Sequence, residues 1–142
     1  MNLLASLRRL TFLFLFVATA ALAEAPIKVV YHFSQGLVEA SNGLRNIKNH
    51  LVGDPTVKIV VVSNGAGIDF ILKGAKDKNG NLFENTVDEL SLAGVEFRVC
   101  NNTLKARGID AKQLLPDGKI VPAGVVEVSR LQAREGYAYL KP

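Results

Sequence analysis

Val57-Lys58-Ile59-Val60-Val61-Val62, followed by Ser63-Asn64-Gly65-Ala66-Gly67, is the stretch whose reading decides the fold. Four of the first six residues are valine and one is isoleucine. Branching at Cβ favours extended backbone, and the near-continuous apolar run leaves no wet face. A strand of this kind is covered on both sides, as at the centre of a parallel sheet. The glycine-bearing loop behind it predicts a tight turn into a helix.

Working upstream, Ile27 to Phe33 reads as a second buried strand, broken by Ser34-Gln35-Gly36. Leu37, Ala40, Leu44, Ile47 and Leu51 recur at three and four residues, one face of an amphipathic helix closed by Gly53-Asp54-Pro55. Downstream, Ile68, Ile71, Leu72 and Ala75 predict a helical face, and Asp77 to Asn81 a polar turn. Phe83, Val87 and Leu90 predict another helix, stopping at Gly94. Val95, Phe97 and Val99 alternate with Glu96 and Arg98, a strand with one wetter face open to a subunit contact. A short helix through Leu104 to Arg107 ends at Gly108, and Pro116-Asp117-Gly118 turns into a short strand at Ile120 and Val121. A last helix on Val125, Val128 and Leu131 stops at Gly136, before a strand from Tyr137 to Leu140. Strands alternating with helices predict an α/β fold, a three-layer α/β/α sandwich around a mostly parallel sheet of about five strands.

The N-terminus predicts export. Arg8 and Arg9 precede an apolar run from Leu10 to Leu22, which ends in Ala21-Leu22-Ala23. A basic start, a short apolar centre and small residues at the cut are those of a secretory signal peptide over residues 1–23. The expected location is periplasmic. Residues 24–142 then form a single domain of about 119 residues, with no stable membrane span after cleavage. Without Arg8 and Arg9 the formal charge falls from +4 to +2, and the remaining basic residues are scattered. Nucleic acid is therefore not an expected partner.

Cys100 is the only cysteine. A single cysteine makes no internal disulfide, so it is buried and inert, paired with another molecule, or reactive. It follows a strand and precedes Asn101-Asn102-Thr103, which offers helix-cap chemistry. Amides at a helix start favour negative charge, which lowers a thiol pKa and enriches the nucleophilic thiolate. This placement predicts a sulfur open to solvent at the edge of the sheet where ligands bind. Asn101, Asn102 and Thr103 are the expected donors, with Ser63, Asn64 and Gly65 on the neighbouring loop. Gly65 and Gly67 read as turn glycines, because Phe70 stands where a dinucleotide fingerprint needs its third glycine. His32 and His50 are isolated, and His32 is expected to point into a packed layer. No metal site and no cofactor are expected.

The segment Val95-Glu96-Phe97-Arg98-Val99-Cys100-Asn101-Asn102-Thr103-Leu104 resembles the DsrE/DsrF-like family, where a strand ends in a single cysteine before a helix opening with Asn and Thr. Gly108-Ile109, Val121-Pro122-Ala123-Gly124-Val125 and Leu131-Gln132 continue the resemblance, which spans most of residues 27–140. Gly136-Tyr137-Ala138-Tyr139-Leu140-Lys141-Pro142 fits exported members. The resemblance implies a parallel α/β fold, homo-oligomers or related hetero-oligomers, and a cysteine, here Cys100, that carries sulfane sulfur as a persulfide. It implies a sulfur donor or acceptor, protein or small thiol, and a sulfurtransferase-like activity whose turnover is left open. The rival expectations are a non-catalytic oligomeric binding or assembly module with a structural Cys100, and thiol redox through intermolecular disulfides.

Overall fold

The structure is a computed structural model that describes residues 24–142. The expected signal peptide, residues 1–23, lies outside the described residues. Five strands run β1 (Lys28–Phe33), β2 (Lys58–Ser63), β3 (Glu96–Cys100), β4 (Gly118–Val121) and β5 (Ala138–Leu140). Their order in the sheet is β4-β3-β2-β1-β5, and every pairing is parallel. The four α-helices are α1 (Leu37–Gly53), α2 (Phe83–Leu92), α3 (Asn101–Arg107) and α4 (Gly124–Glu135).

This order dictates where the helices go. From β1 to β4 the chain steps in one direction across the sheet, so right-handed crossovers put their connections on one face. From β4 to β5 it returns across the whole sheet, and the same handedness sends α4 to the other face. The cores agree. Val29, Tyr31, Phe33, Ile59, Val61, Phe97 and Val99 pack with residues of α1, α2 and α3. The alternate side chains Val30, Val60 and Val62 pack with Val128 and Leu131 of α4, with Tyr137 against them. The sandwich is therefore lopsided, with a thick layer on one face and a single helix on the other.

Three expectations need correction. The segment with Ile68 and Ile71 is a 3-10 helix, Gly65–Ile71, and the chain is already extended at Leu72. Apolar residues three apart satisfy a three-residue turn as well as a 3.6-residue one. Val125, expected on the buried face of the last helix, is 59% exposed; the face that packs is Val128 and Leu131. Arg98 is not left on an open wet face. It lies under α4, where it pairs with Glu127 and with Glu96 at 3.0 Å, while Arg130 also holds Glu127 at 2.8 Å. This ion-pair cluster docks the middle of α4 where the apolar cluster is small.

The Asp77 turn is as expected. Asp77 Oδ1 accepts from the amides of Asn79 at 2.8 Å and Asn81 at 2.9 Å. At the other end of the chain, Lys141 ties β5 to the loop after β1 by donating to Ser34 Oγ at 2.8 Å and to Glu39.

Candidate functional site

The same topology locates a crevice. The loop after β3 turns toward the thick face and the loop after β4 toward α4, so adjacent strand ends part between β3 and β4. Ligands of open α/β sheets bind at such a switch point. Cys100 is the last residue of β3, paired with Val121, the last residue of β4. The fold thus brings the lone thiol to the place where the backbone diverges.

Cys100 is also the residue that precedes α3, with extended backbone (φ −68°, ψ 114°). Burial pushes its thiol pKa up. The amides of Gly124, Thr103 and Asn102 and the Thr103 hydroxyl outweigh that push, and the net direction is downward. No side-chain cap hydrogen bond closes the first turn of α3. The donors come from the starts of two helices that leave on opposite faces. Gly124 makes the approach of α4 possible: a Cβ there would lie 3.2 Å from Cys100 Cβ and 3.3 Å from Asn64 Cβ.

The openness expected of the sulfur is not found. Cys100 is 6% exposed. The start of α4 covers it, because the strand register and the small Gly124 let that helix lie directly over the end of β3. Among the described residues it is a free thiol.

The other predicted site residues divide into two groups. Thr103 is at the site: its Oγ1 accepts the Gly65 N–H at 2.9 Å. That bond uses an oxygen lone pair and leaves the hydroxyl proton for sulfur. Asn102 contributes its amide and Asn101 its place in the first turn of α3. Asn64 lies level with Cys100, one residue past the Ser63–Val99 pair. Ser63 is committed elsewhere: it is buried, and its hydroxyl donates to the Arg98 carbonyl at 3.3 Å.

The loop of Asn64 and Gly65 is built for this closeness. Gly65 has φ +55°, a left-handed conformation that costs a side-chain-bearing residue. A Cβ at Gly67 would overlap the Phe33 backbone. Arg107 of α3 anchors the loop, donating to the Gly65 carbonyl at 3.1 Å and to Asp69 at 2.7 Å. Phe70 is buried against Phe33, Phe83 and Phe97, so the loop is a packing turn.

Two residues at this edge were not predicted from the sequence. His32, expected in a packed layer, is only half-buried. Its Nε2 lies 2.9 Å from Asn64 Oδ1 and its Nδ1 3.0 Å from the Tyr139 hydroxyl. Tyr139 reaches it because β5 pairs with β1 beside the same face. Sequence gave no signal for this contact, since Tyr139 is 107 residues away.

Among the described residues no cluster of His, Cys, Asp and Glu could hold a metal ion, and no helix is long and apolar enough to cross a membrane. A surface cleft lined by Leu44, Arg45 and Phe83 lies between α1 and α2 and contains none of the predicted site residues.

The DsrE/DsrF-like family profile matches residues 13–142. Among solved structures, the chain is similar to the protein of unknown function MTH1491 from Methanobacterium thermoautotrophicum. The two are 30% identical with a TM-score of 0.72, over 82% of this chain and 99% of that one. It is also similar to the YchN protein from E. coli, at 18% identity and a TM-score of 0.65, over 82% and 98% of the two chains; that likeness speaks to the fold alone. No curated protein matches the chain.

Proposed function

The chain belongs to the DsrE/DsrF-like family, related to sulfur relay proteins, and from that premise we propose that it is a periplasmic sulfur carrier whose Cys100 holds sulfane sulfur as a persulfide. The observation that carries this reading is the set of donors around the sulfur. Amides from the starts of α3 and α4 and the Thr103 hydroxyl favour the thiolate, despite burial. The thiolate is the form that attacks sulfur.

The chemistry is an exchange without net redox change. Cys100–S⁻ attacks the outer sulfur of a donor R–S–SH. The Cys100 S–S bond forms, the donor's S–S bond breaks, and the electron pair leaves with R–S⁻. An acceptor thiolate then attacks the outer sulfur of Cys100–S–SH and regenerates Cys100–S⁻. The same donors serve a persulfide anion, and the cover from α4 slows contact with oxidants. A homo-oligomer, with a donor and acceptor that are proteins or small thiols, completes the proposal.

The 6% exposure of Cys100 favours a second reading, a binding or assembly module in which the cysteine only packs. The pH dependence of alkylation by a small neutral reagent separates the two. The carrier reading expects native Cys100 to react with an apparent pKa below the free-thiol value of about 8.5. A thiol that reacts only after unfolding would support packing instead.

A further inference from the structure

We propose that the side-chain amide of Asn64 is a binding group for the charged end of an anionic sulfur donor, and that His32 and Tyr139 hold it in place. The donor class rests on the sulfur-carrier reading above; the anion-binding role does not.

The argument begins with hydrogen-bond capacity. Asn64 Oδ1 has no proton, so the His32 Nε2 facing it at 2.9 Å must carry one. In the neutral ring Nδ1 is then an acceptor, and the Tyr139 hydroxyl donates to it at 3.0 Å. The chain Tyr139–His32–Asn64 thereby fixes both the imidazole tautomer and the orientation of the amide. With Oδ1 occupied, the Asn64 NH₂ group is left to donate, and it has no partner among the described residues. Every buried side-chain nitrogen and oxygen in the described structure has a partner, so this NH₂ reaches solvent.

Its neighbourhood gives that free donor a purpose. Asn64 and Cys100 flank the same point, with their Cβ atoms 3.3 Å and 3.2 Å from where a Gly124 Cβ would sit. Asn64 follows β2 directly, one residue past the Ser63–Val99 pair, and Cys100 ends the adjacent β3. Both pack against the start of α4, and an anion that reaches the thiolate past the edge of that helix arrives beside an oriented neutral donor. Lys141 Nζ, within 3.2 Å of the His32 carbonyl, is paired with Glu39, so the donor offered to an anion here is the neutral amide. Ligands that fit carry negative charge next to a transferable sulfur, as thiosulfate and hydropolysulfides do. With thiosulfate, Cys100–S⁻ takes the outer sulfur to give Cys100–S–S⁻, and sulfite leaves with the electron pair.

Two alkylating reagents of similar size, anionic iodoacetate and neutral iodoacetamide, test the amide without reference to sulfur loading. In Asn64→Ala the iodoacetate rate should fall about fivefold relative to the iodoacetamide rate. The apparent pKa read with iodoacetamide should stay near the wild-type value. His32→Ala should move the ratio the same way, and Tyr139→Phe, at a 40%-exposed position that leaves the core intact, by a smaller amount. An unchanged ratio in Asn64→Ala, or an equal loss with both reagents, would overturn the proposal. If the ratio moves as expected while neither thiosulfate nor polysulfide leaves sulfur on Cys100, the anion site stands and the sulfur-carrier reading falls.

Discussion

The Gly65 amide donates to Thr103 Oγ1 at 2.9 Å, so the loop after β2 and the helix after β3 share one hydroxyl. Because that oxygen is already an acceptor, its proton is free for Cys100 Sγ. Thr103→Val keeps the shape and removes the proton. The thiol pKa should then rise toward the free-thiol range, with alkylation at neutral pH slowed roughly threefold. Thr103→Ser should keep the wild-type pH profile. Rates against pH for the three proteins check this.

Gly124 and Gly67 mark two close approaches of different severity. A methyl at position 124 meets the Cβ atoms of Cys100 and Asn64, which can yield a little by moving α4. Gly124→Ala should cost about 1–2 kcal/mol and slow Cys100 alkylation as its amide shifts away. At position 67 the obstacle is Phe33 backbone inside β1. Gly67→Ala should cost about 3 kcal/mol. Urea unfolding of both variants gives the ranking.

Much of this architecture is readable from the chain, for physical reasons that vary by element. The continuous β-branched run of β2 has one explanation, burial on both faces, and the structure agrees. Gly108 and Gly136 end α3 and α4 in left-handed conformations, as their places in the pattern predict. Periodicity did not separate a 3-10 from an α-helix at Ile68 and Ile71. The position of Cys100 at a strand end was legible; its burial was not, because cover by α4 depends on β4 lying next to β3. Strand order is a long-range property, and the Asn64–His32–Tyr139 chain depends on it entirely. Arg98 looked like a solvated residue because its partner Glu127 is 29 positions away.

Glu39 should make stability depend on acid pH. Burial pushes its carboxyl pKa up, but Lys141 and the Gln35 and Ser34 amides hold it below the usual range. A group depressed in the folded state stabilises above its unfolded pKa, about 4.3 for Glu, and that stabilisation is lost as pH falls through the lower folded value. Glu39→Gln should cost about 2 kcal/mol at neutral pH, with the difference from wild type closing in acid. Urea midpoints measured against pH test both the size and the sign.

Arg98 and Glu127 have side chains only 16% and 11% exposed. Removing one should cost more than removing both. Arg98→Met should destabilise by about 2 kcal/mol, less than for a fully orphaned charge, because Arg130 still holds Glu127. The double change Arg98→Met with Glu127→Met should recover part of that loss. Equal additive losses in a double-mutant cycle would show the pair to be uncoupled.

The central claim concerns one atom, Sγ of Cys100, and intact-mass measurement of the folded protein addresses it most directly. After a brief exposure to polysulfide, the protein should gain the mass of one sulfur atom. Peptide mapping should place that sulfur on Cys100, a thiol acceptor should remove it, and Cys100→Ser should gain nothing. Native protein that gains no sulfur, while unfolded protein does, would contradict the carrier account and leave Cys100 as a packed residue under α4.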